Sequence, residues 1–75
     1  MYIDRVTPIR LNIKALREEA GLSQEELAEM VGTRQATISR LERNLTQRVD
    51  LPLIDALCKA LKCEPGDILV RTRRR

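Results

Sequence analysis

The fold is decided by residues 21–33, GLSQEELAEMVGT. Ser23 and Glu26 have the spacing of a capping box, in which the serine hydroxyl accepts from the Glu26 amide and the carboxylate reaches back to the Ser23 amide. Gly32 supplies the left-handed residue at which helices commonly end. The stretch therefore predicts a helix, helix 2, over about residues 24–31.

A further helix follows after almost no linker. Thr33 is a good N-cap residue directly after Gly32, which predicts helix 3 over about residues 34–43. Because so short a connection cannot bring the chain back antiparallel, helices 2 and 3 must cross steeply, as in a helix-turn-helix. Ile38 and Leu41 are the inward residues of helix 3. The residues that point away from them are Ala36, Ser39, Arg40 and Arg43.

The predicted helices 1 and 4 flank this pair. Asn12 is a suitable N-cap for helix 1 over about residues 13–20, and Gly21 stands at its C-terminal end. Asp50 is a suitable N-cap for helix 4, with a proline tolerated in the first turn. The apolar stripe of helix 4 has helical spacing and consists of Ile54, Leu57, Cys58 and Leu61.

The two ends of the chain are less regular. Pro65 opens a short helix 5, in which Ile68 and Leu69 are expected to pack. Residues 8–11 are compatible with a short extended piece, and the basic tail over residues 70–75 is compatible with a strand at its start. The tail arginines fit either a non-specific phosphate-binding arm or a solvated tail.

Length and composition bound the class of protein. Seventy-five residues predict a single domain over residues 1–75, with a core over about residues 9–69. The 43% of hydrophobic residues and 33% of charged residues are typical of a folded globular chain. The apolar residues are mainly Leu, Ile, Val and Ala, which favours packed helices. No apolar run approaches 18 residues and no signal peptide is recognisable, so a cytoplasmic protein without membrane spans is expected.

Charge is unevenly distributed along the chain, whose formal net charge is +3. Residues 18–29 carry five glutamates and no basic residue, whereas residues 34–48 carry four arginines and one glutamate. A polyanion would therefore meet one selected face of the protein. Charge alone leaves one alternative open, in which the arginines serve only to keep the protein in solution.

Cys58 and Cys63 are the only cysteines, and the chain has no histidine. Two cysteines alone cannot supply the four ligands of a zinc site. A disulfide is disfavoured in a reducing compartment. We therefore expect both cysteines to have a packing role, and we expect neither a metal nor another cofactor.

The stretches GLSQEELA (residues 21–28) and VGTRQATISRLE (residues 31–42) resemble the Cro/C1-type (XRE-type) helix-turn-helix family. Residues 56–69, with LCKAL followed by PGDIL, are similar to a minimal single-domain subgroup of it. The resemblance implies an all-α, compact, five-helix, lambda-repressor-like domain. It also implies that helix 3 enters the major groove while helix 2 lies across the DNA backbone.

The resemblance further implies which side chains meet DNA. Gln35, Ala36 and Arg40 occupy the base-reading positions, and Gln24 is expected to contact phosphate and to brace Gln35. The flanking or phosphate-contacting positions are Arg34, Thr37, Ser39, Arg43 and Asn44. The chemistry of these side chains supports the base-reading roles, since Gln pairs with adenine, Arg pairs with guanine, and Ala can contact a thymine methyl. An ion pair with a nearby glutamate is the alternative role of Arg40.

A sequence-specific regulator of transcription, acting as a repressor, is the leading functional hypothesis. Because one helix reads only a few base pairs, a homodimer on two half-sites about one helical turn apart is expected. The alternative is a protein-interaction module, such as the antitoxin-like partner of a toxin. A single-strand or RNA binder would need more aromatic residues than Tyr2. An enzyme is disfavoured, because Ser23 and Thr33 have no histidine to activate them.

Overall fold

The computed structural model describes residues 9–45 and 48–71. They form, in chain order, β1 (Ile9–Leu11), α1 (Ile13–Glu19), α2 (Gln24–Val31), α3 (Gln35–Glu42), α4 (Leu51–Leu61), α5 (Pro65–Ile68) and β2 (Leu69–Arg71). The predicted five-helix fold is confirmed, and the predicted bounds of helices 1 to 3 are correct to within one residue. None of the helices in these ranges is long and apolar enough to cross a membrane.

The two strands pair with each other. They form a two-stranded antiparallel sheet in which Ile9 lies opposite Arg71 and Leu11 lies opposite Leu69. The Asn12 amide extends the pairing by donating to the Ile68 carbonyl at 2.8 Å. The extended segments expected near the two ends are therefore confirmed, and their pairing ties one end of the domain to the other. The rest of the basic tail, residues 72–75, lies outside the described residues.

The hydrophobic core lies between the helices, and each helix contributes to it. Its buried residues are Ile13, Leu27, Ala28, Ile38, Leu41, Ile54, Leu57, Leu61 and Ile68. Leu69 was expected to pack in helix 5, and this prediction is wrong. Because the chain leaves α5 after Ile68 and continues as β2, the Leu69 side chain is 41% exposed.

Each of the helices α1 to α4 is followed, within two residues of its last residue, by a residue with left-handed backbone. These residues are Gly21, Gly32, Asn44 and Lys62. At the end of α2, the Thr33 amide donates to the Ala28 carbonyl at 2.9 Å, which completes a Schellman motif. Thr33 is therefore part of the end of α2, and its prediction as the N-cap of helix 3 is wrong. Arg34, with extended backbone and no side-chain capping bond, is the N-cap of α3.

The other three predicted N-caps stand at the positions predicted, and two of them make a side-chain capping bond. The capping box is present, with the Ser23 hydroxyl 3.0 Å from the Glu26 amide and the Glu26 carboxylate 2.8 Å from the Ser23 amide. Asp50 caps α4 by accepting from the amide three residues later, at 2.9 Å. Asn12 makes no side-chain capping bond to α1. Its side chain turns instead toward α5 and donates to the Asp67 carbonyl at 3.4 Å.

Candidate nucleic-acid interface

Helices α2 and α3 pack against each other through their apolar faces. Leu27 and Ala28 of α2 and Ile38 and Leu41 of α3 are all buried in the same core cluster. At about 100° per residue, the side of α3 opposite Ile38 and Leu41 must face away from the protein. The packing of α2 therefore fixes which face of α3 is presented to a ligand.

Of the predicted base-reading residues, Ala36 and Arg40 lie on this outward side of α3, and Gln35 lies at its edge. Gln35, Ala36 and Arg40 are all exposed. Arg40 forms no ion pair with any described residue, so the glutamate partner considered as an alternative is not observed. A cationic side chain is thus presented beside an amide and a methyl group on one surface.

The predicted flanking residues surround these three. Arg34 and Arg43 are exposed at the two ends of α3, while Thr37 and Ser39 are half-buried along its length. Neither of the two arginines forms an ion pair with a described residue. Both ends of the outward surface are therefore positively charged.

A chain of hydrogen bonds connects α1 to Gln35. The Arg17 guanidinium donates to both carboxylate oxygens of Glu42, at the C-terminal end of α3. Glu42 Oε1 also accepts from Gln24 Nε2 at 2.9 Å. Gln24 Oε1 in turn accepts from Gln35 Nε2 at 3.3 Å. The contact between Gln24 and Gln35 is the one that the sequence predicted, and Arg17 and Glu42 extend it into the protein.

This chain determines which way each amide points. A carboxylate only accepts hydrogen bonds, so the Gln24 amide must turn its NH₂ group toward Glu42 and its oxygen toward Gln35. Gln35 must then turn its own NH₂ group toward Gln24. One N–H of that group and the Gln35 carbonyl oxygen make no hydrogen bond to a described residue, and Gln35 is exposed. The side chain therefore presents one donor and one acceptor together.

The ion pair that begins the chain is almost enclosed. The side chain of Glu42 is 3% exposed and that of Arg17 is 12% exposed. Burial alone raises the pKa of the Glu42 carboxyl, but the hydrogen bonds from Arg17 and Gln24 outweigh burial and hold its pKa below the ordinary value. The hydrogen bond to Glu42 raises the pKa of Arg17 in return. Arg17 also donates to the Leu22 carbonyl at 2.8 Å, which ties the start of α2 to the same pair.

Sequence reasoning missed Arg17 and Glu42. Glu42 lies on α3 between the buried and the outward faces, next in angle to Gln35. A charged residue at such a boundary is the only signal that the sequence offers, and nothing in the pattern connects it with an arginine 25 positions earlier.

Asn44 has a contact that the sequence did not reveal. Its predicted left-handed position after helix 3 is confirmed, with φ 57°. Its side-chain Oδ1 accepts from the Leu11 amide at 2.7 Å, and its Nδ2 donates to the Leu11 carbonyl at 3.3 Å. The carboxamide thus holds β1 against the end of α3. A side-chain contact with phosphate, which stays a prediction, is left with only the second Nδ2 hydrogen.

The two cysteines lie at the C-terminal end of α4. Both are free thiols and half-buried, and the Cys63 amide donates to the Cys58 carbonyl at 3.0 Å. Burial, and next the neighbouring Cys58, raises the pKa of the Cys63 thiol. The pair occupies the positions at which a Schellman motif commonly makes an apolar contact, so a packing role fits both residues. No cluster of three or more metal-ligating residues occurs in the described part of the chain.

Comparison with known proteins identifies the family. A family model described as Helix-turn-helix matches residues 13–68, from the start of α1 to the end of α5. The chain belongs to the helix-turn-helix family. Over 61 residues, it is 39% identical to YozG, an uncharacterized HTH-type transcriptional regulator of Bacillus subtilis (strain 168). That alignment covers 81% of this chain and 73% of YozG.

Solved structures of helix-turn-helix proteins bound to DNA are also similar. SinR, a master regulator for biofilm formation crystallised with DNA, is 32% identical, with a TM-score of 0.67 over 71% of this chain and 84% of SinR. The P22 c2 repressor bound to a synthetic operator is 38% identical, with a TM-score of 0.65 over 71% of this chain and 79% of the repressor. The protein is thus a DNA-binding transcriptional regulator with the predicted fold, and nothing in these similarities supports the antitoxin-like alternative.

Proposed function

We propose that this helix-turn-helix regulator represses transcription by binding a specific DNA sequence through the outward face of α3. The single observation that carries the proposal is the hydrogen-bond chain from Arg17 to Gln35. It leaves Gln35, which is exposed, with one N–H and its carbonyl oxygen free to bond a ligand. Adenine offers the complementary pair in the major groove, because its N6 donates and its N7 accepts. We therefore assign an adenine contact to Gln35.

The neighbouring residues extend this assignment. Arg40 is exposed and without an ion pair to a described residue, so its guanidinium is available to bond guanine O6 and N7. Ala36 can add contact with a thymine methyl group. Thr37 and Ser39 flank these positions.

The phosphate contacts are assigned to the edges of the same surface. Arg34 and Arg43 lie at its two ends, and Gln24 lies at the start of α2, where free amides and the helix dipole attract phosphate. Asn44 contributes through its remaining N–H. Contacts of this kind fix the position of the protein on the duplex but carry no sequence information.

One copy of α3 reads too few base pairs to select a site by itself. We therefore propose a homodimer that binds two half-sites about one helical turn apart. The proposal includes a cytoplasmic location, in the compartment that holds the DNA. It requires no cofactor and no catalytic step.

The test begins by selecting a preferred duplex from a random library with the unaltered protein. Affinity is then measured by fluorescence anisotropy for that duplex, for its single-base variants, and for an unrelated duplex. Gln35→Ala should remove the preference for adenine at one position, and Arg40→Ala should remove the preference for guanine at another. Each loss should be about 5- to 150-fold, since a bidentate contact contributes about 1–3 kcal/mol of discrimination.

Lys59→Ala is a suitable control. Lys59 is exposed on α4 and paired with Asp55, so the variant changes the net charge as Arg40→Ala does but leaves α3 intact. It should keep every base preference. Equal binding of the unaltered protein to all duplexes would refute sequence-specific repression, and an unchanged base preference in Gln35→Ala would refute the assignment of that residue.

A further inference from the structure

The side chain of Asn44 attaches the sheet to the C-terminal end of α3. Asn44 bonds both the amide and the carbonyl of Leu11. In a strand, the N–H and C=O groups of one residue point toward the same edge. Both groups of Leu11 point toward Asn44. The strand next to α3 is therefore β1, and β2 pairs with the opposite edge of β1. Asn44 thus occupies the position that a third strand would have.

Arg10 lies on the outer face of the strand that is held in this way. Leu11 packs against the core, and adjacent residues of a strand point to opposite faces, so the Arg10 side chain is directed away from the core. It is exposed and forms no ion pair with a described residue. Its partner across the sheet is Val70, which brings no opposite charge.

Arg10 and Arg43 are neighbours on either side of the bonded pair. Arg43 precedes Asn44 at the end of α3, and Arg10 precedes Leu11 in β1. Consecutive Cα atoms are about 3.8 Å apart, so each arginine stands one residue's length from a member of the bonded pair. The two arginines are therefore placed to contact phosphates of one stretch of the DNA backbone.

We propose that Arg10 is a DNA-phosphate-binding residue, which the Asn44–Leu11 contact positions beside the C-terminal end of α3. The site extends the basic surface of Arg43 onto β1, beyond the base pairs that α3 reads. Its ligand is the sugar-phosphate backbone of the duplex. The inference rests on the proposed function, since it takes the outward face of α3 as the surface that meets DNA.

The salt dependence of binding tests this site. Each phosphate contact contributes about −0.9 to the slope of log K against log salt. Arg10→Ala should therefore reduce the magnitude of the slope by about 0.9 per bound protomer. It should weaken binding to preferred and unrelated duplexes by the same factor, whereas Arg10→Lys should retain the slope. Lys59→Ala, with the same change in net charge, should match the unaltered protein.

A double-mutant cycle tests the positioning by Asn44. Asn44→Gly keeps the left-handed position at the end of α3 but removes both bonds to Leu11. If these bonds position Arg10, Arg10→Ala should have at most half its usual effect on the slope in the Asn44→Gly background. If Arg10→Ala changed the slope by the same amount with and without Asn44→Gly, the positioning of Arg10 by Asn44 would be overturned. Circular dichroism should show that each variant is folded at the temperature of the assay.

The two proposals fail in different ways. An unchanged slope in Arg10→Ala would overturn the phosphate site, as would a loss of the same size in Lys59→Ala. Equal binding of the unaltered protein to all duplexes would refute the specific function. The slopes measured on an unrelated duplex would still decide the role of Arg10.

Discussion

Replacing Glu42 by alanine is the most direct test of the hydrogen-bond chain. The carboxylate accepts two hydrogen bonds from Arg17 and one from Gln24. Its removal leaves the guanidinium of Arg17, whose side chain is 12% exposed, with the carbonyl of Leu22 as its remaining hydrogen-bond partner. The mostly buried charge thereby keeps only the carboxylate of Glu18, 4.0 Å away and 59% exposed, as a counter-ion.

The magnitude follows from that burial. Breaking a buried ion pair by removing one partner costs about 3–5 kcal/mol. The partial exposure of Arg17 lets water replace some of the lost contact, so we expect the free energy of unfolding to fall by about 3 kcal/mol. A domain of this length has an unfolding entropy of about 0.16 kcal/mol per kelvin, so the melting temperature should fall by about 19 °C.

Thermal unfolding followed by circular dichroism measures this loss, with Asp55→Ala as the matched control. Asp55→Ala likewise leaves a cation without its carboxylate partner, but the ion pair of Asp55 with Lys59 is exposed, with side chains 66% and 78% accessible. An exposed pair four residues apart on a helix contributes only about 0.3–0.5 kcal/mol, or about 2–3 °C here. If Glu42→Ala melted within 3 °C or so of the unaltered protein, the structural role of the enclosed pair would be refuted.

Two further predictions concern stability. Because the pKa of Glu42 is lowered by folding, its ionised form stabilises the protein above the unfolded value, about 4.3, and this contribution is lost as the pH falls through the lower folded value. Urea unfolding between about pH 5 and pH 2.5 should therefore show a smaller acid-induced loss for Glu42→Gln than for the unaltered protein, and equal losses would contradict the pKa assignment. Ser23→Ala should reduce the free energy of unfolding by about 1 kcal/mol by removing the cap of α2, whereas Ser23→Gly should reduce it by only a few tenths; thermal melts that rank the two variants in the opposite order would contradict the capping role.

Most of the fold could be predicted because its boundaries depend on local chemistry. The capping box of Ser23 and the left-handed Gly32 fix α2 through contacts within a few residues, and such contacts can be read from spacing. At Thr33, residue spacing alone gives the wrong answer. Its side chain suits an N-cap, but its backbone amide completes the end of the preceding helix, and the competition between two local signals is not visible in composition.

The Asn44–Leu11 contact and the Arg17–Glu42 ion pair could not be predicted for a different reason. Asn44 and Leu11 are 33 positions apart, and Arg17 and Glu42 are 25 apart. Their contacts depend on how finished helices pack, so no local pattern carries them. Asn44 was expected after helix 3 because asparagine tolerates the left-handed conformation, but that argument says nothing about which backbone its carboxamide will meet.

The base preference assigned to Gln35 is consequently a property of three helices and not of α3 alone. A free glutamine amide can turn either way, and only one of the two orientations places its donor and acceptor as Gln24 requires. Gln24 is oriented because Glu42 accepts from it, and Glu42 stays ionised because Arg17, on α1, offsets its burial. A change at Arg17 would therefore reach the DNA surface without altering any residue there. The residue that contacts the base and the residues that orient it need not be neighbours in sequence, and here the most distant of them lies 18 positions before Gln35.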